Sequence, residues 1–187
     1  MEREKRTDRQ PSFLVASHLR ESKGVQDLIE AVYFLPDDIK NQIKITVYGE
    51  GPYESNLLKK ISSYNLEDCF VFMGSKPNLN EIFSQYDYML QPTHMECFSL
   101  SILESLAANV PVVTTTVGGN TEVVTSGENG YIFEAKNIKA LAEILEDLYL
   151  GNKKISMNTR ELISNSFSLP KMVENHFALL KQKGVKF

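Results

Sequence analysis

Two glutamates, Glu96 and Glu104, end the segment ECFSLSILE and are the residues of this sequence best suited to do chemistry. The segment predicts a loop that runs into a helix. One alternative explains Glu104 without a ligand, because Ser101 followed three residues later by Glu104 fits a capping box at a helix start. Glu96 precedes that helix, where a carboxylate is unfavourable unless it accepts hydrogen bonds. Hydroxyl groups of a ligand would supply them.

The loop that follows the first predicted strand carries three potential cations, His18, Arg20 and Lys23, just before a helix. Positive side chains beside a helix N-terminus build an anion site, because the free backbone N–H groups and the helix dipole add to their charge. A solvated loop is the alternative explanation. A ligand with both phosphates and hydroxyls, such as a nucleotide sugar, would satisfy these cations and the two glutamates together.

Strands and helices alternate along the chain and position these loops. Strands are predicted at residues 12–17, 43–49, 69–74, 86–92, 110–116 and 130–133. Helices are predicted at 24–35, after Pro52, at 79–86, 102–109 and 137–150, and across 152–182 with an interruption at 164–170. This pattern indicates an α/β, doubly wound, Rossmann-like parallel sheet of about six strands, with helices on both faces and extra C-terminal helices. Ligands of such sheets bind beyond the carboxyl ends of the strands.

Composition narrows the class of protein. The 187 residues, 42% of them apolar, suit one domain at 11–187 behind a flexible leader or cut linker at 1–10. A net charge of −4 with scattered basic residues argues against a nucleic-acid partner. Cys69 and Cys97 form neither a zinc site nor a disulfide framework, which favours a reduced, cytoplasmic protein. No apolar run reaches the ~20 residues of a transmembrane segment.

Other motifs give weaker indications of a binding site. YGEGP at 48–52 contains a G-x-G, but a dinucleotide fingerprint needs a third small residue where Glu54 stands. A tight turn explains Gly49 and Gly51 equally well. His94 and Cys97 are two potential ligands, too few for a metal site. The sequence also has no Asp-x-Asp triplet that would hold a metal cofactor.

An ordered set of landmarks resembles the C-terminal, donor-binding half of a GT-B glycosyltransferase of the family 4 type. The resemblance covers about residues 11–180 and rests on LRESKG (19–24), YGEGP (48–52), VFMG (71–74), the two glutamates, SLAANVPVVTT (105–115), GGNTEVV (118–124) and SGENGYIF (126–133). It implies a retaining, metal-independent transferase without a cofactor. The donor would be a nucleotide sugar and the acceptor a glycan or lipid-linked molecule, as in polysaccharide biosynthesis.

The resemblance also implies the role of each residue. Glu96 would contact hydroxyls of the transferred sugar and, with Lys23, serve catalysis. Glu104 would bind the ribose, and Lys23 would neutralise the diphosphate. The further donor contacts that it implies are the backbone amides of Phe98, Ser99 and Leu100 for the distal phosphate, and Ser75 and Lys76 for the nucleobase.

The chain departs from the family pattern at three positions. His18 stands where the family usually has arginine, and it is a weaker cation. Either His18 or Arg20 could supply the second phosphate cation. Cys97 and Ser99 stand where glycines are common, so their side chains could crowd a phosphate-binding backbone, although Ser99 could also donate a hydrogen bond.

The resemblance implies that the acceptor-binding N-terminal half of the enzyme lies outside this sequence. We therefore expect nucleotide-sugar binding, little transfer by the chain alone, and exposed apolar surface on the loop face. The last predicted helix could cross to the missing half or pack on the sheet. The full enzyme could contact a membrane peripherally. The alternatives are a noncatalytic nucleotide-binding module and, with less support, a dinucleotide-dependent oxidoreductase domain.

Overall fold

A computed structural model describes residues 10–183 of the chain and contains one parallel sheet. Its strands are β1 (Phe13–Ala16), β2 (Ile45–Tyr48), β3 (Phe70–Phe72), β4 (Tyr88–Gln91), β5 (Val112–Thr115) and β6 (Gly130–Phe133). They lie in the order β3-β2-β1-β4-β5-β6, and every pair is parallel. The predicted fold class and all six predicted strands are confirmed. The leader predicted at 1–10 falls, except for Gln10, outside the described residues.

Helices follow the strands as the periodicity predicts. They are α1 (Val25–Tyr33), α2 (Asp37–Lys40), α3 (Glu54–Ser63), α4 (Leu79–Phe83), α5 (Leu100–Ala107), α6 (Asn120–Val123), α7 (Ile138–Tyr149), α8 (Thr159–Ser166) and α9 (Leu169–Gln182). The sequence did not predict α2 and α6, because four residues are too few to show helical periodicity. A one-turn 3-10 helix, Glu21–Lys23, precedes α1.

The core has two layers because strand side chains alternate between the faces of the sheet. Phe13 and Val15 of β1 join a cluster with side chains of α1, α3 and α7. Leu14 and Ala16 join a second cluster with side chains of α4, α5 and α8. All four β1 residues are buried, as expected for a central strand covered on both faces.

The two C-terminal helices differ in packing. In α8, Ile163 is buried and Thr159 donates a hydrogen bond of 2.7 Å from its hydroxyl to the carbonyl of Leu106. None of the α9 residues is buried. The interruption predicted at 164–170 is confirmed but is shorter, Phe167 and Ser168, since a proline in the first turn leaves α9 intact. In residues 10–183, no helix has the length and apolar character needed to cross a bilayer.

The strand order reverses between β1 and β4. The chain leaves β1 toward β2 and β3 on one side, and the later strands β4, β5 and β6 lie on the other. The loops after β1 and β4 therefore diverge above the sheet and leave a crevice, which is where doubly wound folds bind ligands.

Candidate functional site

A cavity of about 500 Å³ occupies this crevice at the carboxyl ends of β1, β2 and β4. Eight of the ten predicted site residues line it: His18, Lys23, Ser75, Lys76, Glu96, Phe98, Ser99 and Leu100. Arg20 and Glu104 do not line it, and both are exposed. Loops that are far apart in sequence thus meet around one space.

Lys23 and Glu96 form an ion pair on the wall of the cavity. Lys23 Nζ lies 2.9 Å from Glu96 Oε2, and the two side chains are 23% and 16% exposed. The other carboxylate oxygen of Glu96 accepts a hydrogen bond of 3.2 Å from the N–H of Cys97. The cation predicted for phosphate and the carboxylate predicted for sugar hydroxyls are therefore in direct contact.

The loop after β4, which carries Glu96, is bound to the start of α1, which follows Lys23. His94 Nε2 lies 2.6 Å from Asp27 Oδ2, and the N–H of His94 donates to the carbonyl of Ser22 at 2.8 Å. Gly24 adopts φ 69°, and a Cβ built there would lie 1.8 Å from the carbonyl oxygen of Pro92. Only glycine permits this approach. His94 therefore supports the site through Asp27, a role that the sequence did not reveal.

The glycine pair of GGNTEVV supports the same loop from its other side. Gly118 adopts φ 59°, and a Cβ built there would lie 1.9 Å from the carbonyl oxygen of Glu96. The N–H of Gly119 donates a hydrogen bond of 2.8 Å to the carbonyl of Cys97. The backbone that carries Glu96 is therefore held between the loop after β5 and the start of α1.

The two glycines of YGEGP allow the loop after β2 to pack closely on the backbone of the loop after β1. A Cβ on Gly49 would lie 1.9 Å from the carbonyl oxygen of Ser17, and one on Gly51 would lie 2.3 Å from that of Leu19. The N–H of Leu19 donates to the carbonyl of Glu50 at 2.9 Å. These contacts explain the G-x-G by packing of the loop after β2 on the loop after β1. They leave the oxidoreductase alternative without its supporting motif.

Helix α5 begins two residues earlier than the capping-box interpretation requires. Ser99 is its N-cap and accepts a hydrogen bond of 3.4 Å from the N–H of Ile102, so Ser101 lies inside the helix. The capping box of Ser101 and Glu104 is therefore wrong. Glu104 follows Leu100 by four residues, which places both on one face of α5. Leu100 lines the cavity, and Glu104, one turn further along the helix, does not.

The departures from the family pattern occupy different places. His18 lines the cavity, whereas Arg20 does not. Ser99 is buried, and its hydroxyl caps α5 and accepts a hydrogen bond of 2.8 Å from Gln91 Nε2. Cys97 is exposed and does not line the cavity. Serine in place of glycine thus contributes to the helix start.

The lining residues that were not predicted include Tyr48, Glu50 and Gln91. Glu50 Oε1 accepts a hydrogen bond of 3.0 Å from the N–H of Ser75 and so fixes the loop after β3. Burial, together with a 2.9 Å hydrogen bond to the hydroxyl of Tyr86, raises the pKa of Tyr48 to about 12. Tyr48 and Gln91 each end a strand, and a polar group at that position was the signal available in the sequence.

Large apolar side chains are exposed beside the cavity, which Phe98 and Leu100 line. Met95 is 71% exposed, Leu100 is 69% exposed and Phe98 is 39% exposed. They belong to the loop after β4 and the first turn of α5. The loop face therefore carries the exposed apolar surface that was expected of it.

Curated proteins similar to this chain include glycosyltransferases. N-acetyl-alpha-D-glucosaminyl L-malate synthase from Bacillus anthracis is 29% identical over 164 residues, which are 86% of this chain and 42% of that protein. The capsular polysaccharide biosynthesis glycosyltransferase CapM from Staphylococcus aureus is 30% identical over 158 residues, 78% of this chain and 39% of CapM. The chain thus spans about two fifths of the length of these curated relatives.

Solved structures share the fold. HepE from Anabaena, crystallised in complex with UDP, superposes with a TM-score of 0.82 at 22% identity over 92% of this chain and 49% of HepE. The C-terminal domain of the group 1 family protein LpcC from Francisella tularensis superposes with a TM-score of 0.73 at 26% identity over 85% of this chain and 87% of that domain. The superposition on HepE shows that the two proteins share this fold.

The family assignment comes from the sequence match. The model of the family described as "Glycosyl transferases group 1" matches residues 1–165, which include every strand and all ten predicted site residues. The chain therefore belongs to the glycosyl transferases group 1 family.

Proposed function

We propose that this chain is the donor-binding domain of a retaining GT-B glycosyltransferase of the family 4 type. It would bind a nucleotide sugar whose sugar passes to a glycan or lipid-linked acceptor without a metal ion. The observation that carries this proposal is the meeting of Lys23, Glu96 and the start of α5 around one cavity at the reversal of strand order. Family membership supports the transfer reaction.

Each part of the donor has a chemical counterpart in the cavity. The diphosphate would lie near Lys23 and the N–H groups of residues 98–100, because a helix start and an ammonium group both attract anions. Sugar hydroxyls would donate to the carboxylate of Glu96. The nucleobase would lie toward the loop of Ser75 and Lys76. The ribose would reach Glu104, one turn along α5 from Leu100.

Stabilisation of the leaving group would provide the catalysis. Cleavage of the bond between sugar and phosphate places negative charge on the nucleoside diphosphate. The amides at the start of α5 would meet this charge, and one such preorganised donor is typically worth roughly 3 kcal/mol. Lys23 would add its charge by turning from Glu96 to the phosphates. His18, which lines the cavity whereas Arg20 does not, would be the second group to contact the phosphates. These groups supply the positive charge that a metal ion supplies in other transferases.

Transfer would require a second, acceptor-binding domain on the N-terminal side. The chain spans about two fifths of its curated relatives, and the similar part of LpcC is that protein's C-terminal domain. The exposed apolar rim of Met95, Phe98 and Leu100 is suited to be covered by such a domain. The free thiols of Cys69 and Cys97 suit a cytoplasmic location.

A thermal-shift panel with UDP-sugars, GDP-sugars and NAD tests donor binding. A nucleotide sugar at about 100 times its Kd should stabilise the fold by about 2.7 kcal/mol. For a chain of this size that raises Tm by roughly 5–10 °C. Stabilisation by NAD alone would favour the oxidoreductase alternative.

An activity assay tests the requirement for a second domain. The 187-residue chain should show little or no transfer, and fusion to an acceptor domain should restore it. Robust turnover by the chain alone would contradict this requirement. Normal donor binding without activity in the fusion would favour the noncatalytic module, which the replacement of a family arginine by His18 already suggests.

A further inference from the structure

We infer that the ion pair of Lys23 and Glu96 makes this cavity discriminate an intact nucleotide sugar from the free nucleoside diphosphate. The inference rests on the proposed function, which assigns the two residues to different parts of one ligand. In the structure these residues bind each other, with Nζ and Oε2 2.9 Å apart. A ligand must therefore compete with Glu96 for the charge of Lys23.

Glu96 has little access to water that could replace Lys23. Its side chain is 16% exposed, and its second oxygen accepts a neutral backbone N–H, that of Cys97. The backbone of the loop packs so closely on Gly118 that a Cβ there would lie 1.9 Å from the carbonyl oxygen of Glu96. The N–H of His94 also donates a hydrogen bond to the carbonyl of Ser22. The backbone of the loop is therefore fixed, and the carboxylate keeps its place beside Lys23 through the contacts of its two oxygens. A carboxylate that loses its cation in such a place is destabilised.

A free nucleoside diphosphate would draw Lys23 toward its phosphates and leave Glu96 beside them. Two negative groups at close range in a half-buried site repel each other, which lowers the affinity for the diphosphate. An intact donor brings sugar hydroxyls that donate hydrogen bonds to Glu96 as Lys23 turns to the phosphates. Hydrogen bonds from the sugar thus replace the ion pair that Glu96 loses.

One consequence concerns the end of the reaction. After the sugar leaves, the remaining diphosphate no longer satisfies Glu96, and the ion pair with Lys23 competes with it. The same two residues that hold the donor would therefore weaken the binding of its product. Release of the nucleoside diphosphate is thereby favoured.

Isothermal titration of the Glu96→Gln variant tests the inference. Glutamine keeps the shape and an acceptor for the N–H of Cys97, but it removes the negative charge. The variant should bind the nucleoside diphosphate roughly tenfold more tightly than the wild type, because repulsion is lost and Lys23 is released. Its preference for the nucleotide sugar over the diphosphate should fall by at least the same factor. Glu96→Ala should change the diphosphate affinity in the same direction.

The matched control is Glu21→Gln. It removes an equal charge from an exposed side chain that lies two residues from Lys23 and does not line the cavity. Its affinities should equal those of the wild type. A tenfold gain in this variant as well would assign the effect to net charge and overturn the inference.

The outcomes separate the inference from the proposed function. If the wild type binds the diphosphate and Glu96→Gln binds it equally or more weakly, the inference is wrong and the donor site stands. If the wild type binds neither the diphosphate nor any nucleotide sugar, the proposed function itself fails.

Discussion

The substitution Gly118→Ala should displace Glu96 and so weaken donor binding, although residue 118 does not itself line the cavity. Contacts of less than 3.0 Å are essentially never made by real Cβ atoms, and this Cβ would lie 1.9 Å from the carbonyl oxygen of Glu96. The new Cβ and the carbonyl oxygen of Glu96 must therefore separate from 1.9 Å to about 3.0 Å, which displaces the backbone of one loop against the other. A shift of this size breaks the 2.9 Å contact between Glu96 and Lys23.

The energetic cost has two parts. Alanine at φ 59° costs about 1–2 kcal/mol as left-handed backbone. Displacement of packed backbone adds about 1–3 kcal/mol. Gly127→Ala is the matched control, because its φ is 84° and a Cβ there has no neighbour within 4 Å among the described residues. It should show the first cost alone, which is a fall in Tm of roughly 2–8 °C.

Thermal unfolding and donor titration of both variants distinguish the two parts. Gly118→Ala should melt below Gly127→Ala and bind the nucleotide sugar roughly ten- to hundredfold more weakly, as expected when a hydrogen bond to a charged group is lost. Gly127→Ala should bind it like the wild type. Equal Tm values and equal affinities in the two variants would refute the packing of Gly118 against Glu96.

Further substitutions address the other groups of the cavity. Lys23→Met should weaken the affinity for the nucleoside diphosphate by roughly ten- to hundredfold in titration, since it removes a charged donor and leaves Glu96 unpaired; an unchanged affinity would remove Lys23 from the site. Glu104→Ala should weaken the affinity for nucleotide and nucleotide sugar alike. The Tm of this variant should stay near that of the wild type, because the residue is exposed and the N-cap hydrogen bond of α5 is made by Ser99. A fall in Tm without a loss of affinity would argue for a structural role. The pKa of Tyr48, raised from 10.0 to about 12, favours the neutral phenol in the folded state, so the stability that it contributes is complete below pH 10 and is lost as pH rises toward 12. Urea unfolding between pH 9 and pH 12 should show this loss in the wild type and a smaller one in Tyr48→Phe, and identical pH profiles would contradict it.

Much of the fold could be predicted because it depends on local patterns. The apolar run of β1 and the helical spacing of Leu28, Ile29 and Val32 in α1 follow from burial and periodicity alone. The short helices α2 and α6 could not be predicted in this way. The predicted start of α5 was also wrong. Both Ser99 and Ser101 are suitable N-cap residues, and in the folded chain Ser99 is the cap.

The sequence by itself determined which residues could do chemistry and that they follow strands. Lys23 precedes a helix, Glu96 follows an apolar strand, and glycines stand in the loops after β2 and β5. Their partners were decided only by the tertiary structure. Lys23 and Glu96 are 73 residues apart, and they meet because β1 lies beside β4 in the sheet. Strand order is a non-local property, so no segment contains the information that pairs Glu96 with Lys23 or seats Gly118 against its backbone.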